Sequence, residues 1–157
     1  MNSFIKVLAL LLGAASFSAH AQLVDRKALT LAEARKAIAA ATDEAKKNNW
    51  SVVIAVVDDA GVVLTMDRLD HTARPSADIA VGKARTAALF RRPSGVMEES
   101  IGKGRAALLS AGDYVFLQGG VPIVVNGETI GGVGVSGAKP PEDEQLAKVG
   151  AAAVGQR

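Results

Sequence analysis

From Leu29 onward, apolar and polar positions alternate with two distinct periods, and the changes of period mark the elements. Leu31, Ala34, Ile38, Ala41 and Ala45 recur at helical spacing, and Thr30 with Glu33 forms a T-x-x-E capping box ahead of them. The spacing predicts a helix over Leu29–Asn49. Two β-branched runs follow, Ser51–Val57 and Val62–Asp67, joined by Asp58-Asp59-Ala60-Gly61, which predicts a hairpin. After the polar loop Leu69–Ser76, Ser76 is placed to cap a second helix over Ala77–Phe90, unusually rich in small residues. Arg91-Arg92-Pro93 breaks it, and Ser94 is placed to cap a short third helix through about Gly102.

Tyr114–Leu117 and Val121–Val125 read as strands. Asn126-Gly127 is a two-residue hairpin signal, because both turn positions favour positive φ. Thr129–Ser136 is the return strand, Lys139-Pro140-Pro141 ends it, and Glu142–Val154 reads as a final helix with acids in its first turn. The order α-β-β-α-α-β-β-β-α, with tight hairpins, predicts an α+β fold: a five-stranded antiparallel sheet covered by helices.

The first residues change the picture of size and location. Met1–Ala21 carries Lys6, an apolar run over Val7–Ala15 and the small-x-small site Ala19-His20-Ala21, the pattern of an export signal. The run is shorter than the roughly 20 residues that span a bilayer. The mature chain is therefore expected to begin near Gln22, as one domain over 22–157, periplasmic or secreted and without a membrane span after cleavage. Without Lys6 the basic residues outnumber the acidic ones by only one, and Trp50, Phe90, Tyr114 and Phe116 are the remaining aromatics. Neither a basic patch nor a stacking platform for nucleic acid is present in that composition. With no cysteine, thiolate chemistry and disulfides are excluded.

Gly132–Gly137, GVGVSG, has the G-x-G-x-x-G spacing of a dinucleotide site. That site needs a strand, a glycine turn and then a helix, followed by a second strand bearing an acid. Here the glycines fall inside a hairpin strand, prolines follow, and Arg157 comes 20 residues after Gly137. No NAD is expected; strand glycines mark close backbone approach or a bulge. The overlapping Gly134-Val-Ser-Gly-Ala138 lacks both the last glycine and the helix of a nucleophile elbow.

His71, within Arg68-Leu69-Asp70-His71-Thr72-Ala73-Arg74, is the one histidine after the export signal. It suits haem iron or a proton-transfer role, against the plain alternative of an exposed loop residue. Asp58, Asp59, Asp67 and Asp70 sit at hairpin ends, where aspartates ordinarily make local hydrogen bonds. Lys83 shares a helix face with Ile79, Thr86 and Phe90, so it either snorkels or meets an anion. Met66 and Met97 read as core filler, with thioether ligation of iron the alternative.

Four stretches together resemble the GlcG/HbpS-like family of small haem-binding or haem-degrading proteins: Ile54–Asp58, Ile79–Ala87, Gly119–Ile123 and Ile130–Gly137. The resemblance runs over about Leu29–Val154. It implies a profilin-like, three-layer arrangement, assembly into a homo-oligomer, and haem or another tetrapyrrole as ligand. The resemblance implies a haem-binding histidine near the first helix, and Leu29–Asn49 has none; either His71 ligates the iron, or binding is weak and non-axial, or this member has a different ligand. The expected function is an exported tetrapyrrole carrier, buffer or sensor accessory. One alternative is a binding module or enzyme for a small glycolate-like carboxylate, with Lys83, Arg68 and His71 around the Gly119-Gly120 turn. The other is a structural oligomer with no small ligand.

Overall fold

The computed structural model describes residues 26–155; the expected export signal, Met1–Ala21, lies outside them. Helix α1 (Leu31–Lys47) is followed by strands β1 (Val53–Asp58) and β2 (Val63–Arg68), helices α2 (Ser76–Phe90) and α3 (Ser94–Gly102), and a 3-10 turn (Ala106–Ser110). Strands β3 (Gly120–Val125) and β4 (Glu128–Ser136) and helix α4 (Pro140–Ala152) complete the chain. The sheet is antiparallel throughout, in the order β2-β1-β4-β3.

β1 is buried on both faces, as its unbroken apolar run requires. Ile54 and Val56 join Val133 and Val135 of β4 in the main core, against Ala34, Ile38 and Ala41 of α1 and Leu146 of α4. On the opposite face, Val53 and Ala55 pack with Ala80, and Val57 with Ala84 and Ala88, all three alanines from α2. Helices therefore lie on both sides of the sheet.

The glycines of GVGVSG are explained by α2. A Cβ on Gly132 would lie 2.5 Å from the Ala84 carbonyl oxygen, and one on Gly134 would collide with the Ala80 carbonyl. Alanines at i, i+4 and i+8 of the helix meet side-chain-free positions of the strand, so the two backbones touch.

The sheet has four strands among the described residues, not the five expected, because 114–117 is not a strand. Helix α3 takes the place of a neighbouring strand. Ser94 Oγ donates to the Leu117 carbonyl at 2.6 Å, and the Gln118 N–H donates to Glu98 Oε2 at 2.6 Å. At the end of the segment, Leu117 and Gln118 thus take their polar partners from α3 side chains in place of a ladder.

Local readings were corrected in the same way. Thr30 caps α1, accepting from the Glu33 N–H at 3.2 Å, but Glu33 does not complete the box: it accepts from Gly155 N–H at 2.9 Å. Neither Ser76 nor Ser94 is an N-cap; Pro75 and Pro93 hold those positions. α4 begins two residues earlier than expected, with its prolines at the first helical positions, where a missing N–H costs nothing. Met97 is core, whereas Met66 is 42% exposed on β2. Asn126 and Gly127 do take positive φ, 54° and 81°, between β3 and β4.

Candidate functional site

At one end of the sheet, where β4 finishes and β3 begins, polar groups are buried together. Helix packing fixes Lys83, one position before Ala84, against the sheet. Its side chain is 4% exposed, as is that of Asp143 in the first turn of α4. Lys83 Nζ donates to Asp143 Oδ2 and to the Val135 carbonyl, each at 2.8 Å. Asp143 Oδ1 accepts from the Ala138 N–H at 3.0 Å. Burial pushes the Asp143 carboxyl above its ordinary value, and the Lys83 ammonium and the Ala138 N–H only partly offset this.

Gly119 and Gly120 belong to the same cluster. Gly119 has φ +123°, and a Cβ there would sit 2.8 Å from Lys83 Nζ. A Cβ on Gly120 would meet the Lys83 carbonyl and lie 2.9 Å from Ser94 Oγ. Ser94 Oγ also accepts from the Gly120 N–H at 2.8 Å. Gln118 Nε2 donates to Glu144 at 2.7 Å. Burial works to raise the Glu144 carboxyl, but bonds from Lys148 and Gln118 outweigh it and hold the group below its ordinary value.

The structure thus brings together Lys83, Gly119 and Gly120, and adds Asp143, Ser94, Gln118 and Glu144, which the sequence did not single out as site residues. The lysine was legible as a cation on an apolar helix face, which demands a partner; the partner, 60 residues away, was not. Arg68 and His71 lie elsewhere, at the free end of edge strand β2. Arg68 Nη2 donates to the Thr72 carbonyl at 2.8 Å, and the Thr72 hydroxyl to the Leu69 carbonyl at 2.7 Å. His71 is an exposed turn residue with φ +66°. Across the sheet, Arg68 pairs with Val53, and Val53 with Ser136. Two strand spacings, about 10 Å, therefore separate Arg68 from the end of β4.

Three of the cavities among the described residues differ in character. One, about 590 Å³, is lined by Arg26, Asp59, Arg91 and Glu128 among others, so cations and carboxylates share it. Beside the turn before His71, one of about 350 Å³ is lined by Lys46, Asn49, Trp50, Ser51, Leu69 and Asp70. The third, about 460 Å³, opens between α3 and the 114–117 segment. Ile101, Leu109, Val115, Phe116 and Leu117 form its apolar lining, and Tyr114 and Glu98 are its polar members. Phe90 meets Tyr114 edge-on, centroids 4.9 Å apart, and Phe116 at 5.8 Å.

Residues 29–152 match the family described as "Haem degrading protein HbpS-like". The chain belongs to the HbpS-like family. It is 52% identical to Protein GlcG of Escherichia coli K12 over 99 residues, 63% of this chain and 74% of GlcG. Its fold superposes on a double mutant of Streptomyces reticuli HbpS with a TM-score of 0.79 at 36% identity, covering 85% of this chain and 92% of that one. It also superposes on PduOC, solved as a haem complex, with a TM-score of 0.75 at 25% identity, covering 82% and 96%.

Haem requires apolar walls, an iron donor and a cation for its carboxylates. The third cavity has the first of these, aliphatic and aromatic lining, and Tyr114, whose side chain carries a phenol, is one of its lining residues. His71 supplies an imidazole, with Arg68 and Arg74 nearby in sequence, but on an exposed turn.

Proposed function

We infer that this HbpS-like protein binds haem, as an exported carrier, buffer or sensor accessory that works as a homo-oligomer. The observation that carries this reading is an apolar, aromatic-backed cavity of about 460 Å³ in a chain of a haem-degrading family. Its volume is within the roughly 300–1,000 Å³ range of small-molecule sites. Export is supported by the pattern of Met1–Ala21. Among the described residues, no helix is long and apolar enough to cross a membrane. Assembly with a second copy is supported by edge strand β2, where Val63 and Met66 are 44% and 42% exposed.

Haemin titration of the purified protein tests the reading, with thermal denaturation run in parallel. A saturable Soret change at a fixed stoichiometry is expected. Ligand at 100 times Kd should add about 2.7 kcal/mol to stability. Unsaturable absorbance with no thermal shift would end the haem reading. A shift with glycolate-like acids alone would move the function to small carboxylates.

A further inference from the structure

Resting on the haem-binding reading, we propose that haem lies in the cavity between α3 and the 114–117 segment, with the Tyr114 phenol as its iron donor, and that His71 is not a ligand. Tyrosine is an established haem donor. Tyr114 is half-buried, and its hydroxyl makes no hydrogen bond to any described residue. Its ring is braced edge-on by Phe90, at an interplanar angle of 84°, and lies 6.1 Å from Phe116, so the donor is held in place before ligand arrives.

The walls make the same case. Leu109 and Leu117 line this cavity while 63% and 47% exposed. A flat apolar ligand would cover both, which gives these two leucines a reason to be at the surface. The other polar member, Glu98, is already engaged by the Gln118 N–H. The lining itself holds no cation. Arg105, in the connection between the lining residues Ile101 and Leu109, is exposed and has no ion pair among the described residues, so it is the cation nearest in sequence for a haem carboxylate.

The surroundings of His71 offer cations but little apolar wall. The cavity beside its turn is smaller, His71 is not among its lining residues, and only Trp50 and Leu69 in that lining are apolar. A coordinated iron there would leave most of the haem face in water.

Haemin is titrated into the purified protein and into Tyr114→Phe, Leu109→Glu and His71→Ala, reading the Soret band, the phenolate-to-iron charge-transfer band and resonance Raman phenolate modes. Tyr114→Phe keeps the ring contacts, and Leu109 is exposed, so both variants should fold; their melting curves check this. The expected result is a phenolate signature in the parent that Tyr114→Phe abolishes. Affinity should fall at least about tenfold in Tyr114→Phe and Leu109→Glu, with His71→Ala titrating like the parent. Saturable binding that survives Tyr114→Phe with unchanged spectrum, or is weakened by His71→Ala, overturns the assignment while leaving haem binding intact. Absence of saturable binding in the parent removes the haem reading and this site together.

Discussion

Replacing Lys83 by Met should be among the most destabilising single changes in the protein. It removes the ammonium but leaves Asp143, 4% exposed, with one acceptor oxygen unpaired, and it strips the Val135 carbonyl of its donor. Breaking a buried ion pair from one side costs about 3–5 kcal/mol. Domains of this size have about 5–15 kcal/mol in total, so a large share of the stability is at stake. With a urea slope of about 1–3 kcal/mol/M, the unfolding midpoint should fall by at least about 1 M. The double variant Lys83→Met/Asp143→Asn separates this from simple loss of packing. It removes both charges, and the Asn side-chain oxygen still accepts from Ala138 N–H. The Val135 carbonyl is left short of a donor and the buried Asn N–H2 short of an acceptor, but both are neutral groups, each costing about 1–3 kcal/mol at most rather than a bare buried charge. The double variant should therefore be more stable than Lys83→Met alone. A loss below about 1 kcal/mol in Lys83→Met, the range of an exposed pair, would refute the reasoning. So would single losses that simply add in the double variant, because coupled groups must show an interaction energy.

The raised carboxyl of Asp143 sets a pH dependence. Between the ordinary aspartate value and its own higher one, the folded state holds a proton that the unfolded chain has lost. Stability from this group is thus full below that window and falls as pH rises through it. Urea midpoints across the acid range should show this slope in the parent and lose it in Asp143→Asn. Gly134→Ala should cost about 1–3 kcal/mol or more, since its Cβ collides with the Ala80 carbonyl. Gly102→Ala, in a helix with nothing within 4 Å of the new atom, should stabilise by about 0.4–1 kcal/mol in the same melts. Ser94→Ala leaves the Leu117 carbonyl and the Gly120 N–H without their side-chain partner. It should cost about 1–3 kcal/mol and speed proteolysis between Tyr114 and Gly120.

What the sequence disclosed and what it hid differ by the reach of the interaction. Helix α1 and all four strands follow from local period, because the side facing the core is set by neighbours two or four residues away. The pairing of GVGVSG with α2 was half visible. Valines at 133 and 135 and glycines at 132 and 134 give the strand one bulky face and one bare face, and only a helix of small residues such as Ala80, Ala84 and Ala88 can lie on the bare one. The errors arose where a local signal met a distant competitor. Tyr114–Leu117 has strand composition, but the hydrogen bonds at its end, on Leu117 and Gln118, come from Ser94 and Glu98, up to 23 residues upstream. Ser94 resembled a cap for the same reason: its hydroxyl suits a nearby N–H, yet the loop at Leu117 and Gly120 binds it instead. The site obeys the same rule. Burial of Lys83 was implied by its helix face, while the identity of its counter-charge was not, since Asp143 reads equally well as an acid serving the start of its own helix. The two roles are compatible, and that is how α4 is tied to α2 and to the end of β4: one carboxylate takes the Ala138 N–H beside its own helix start with one oxygen and the distant lysine with the other.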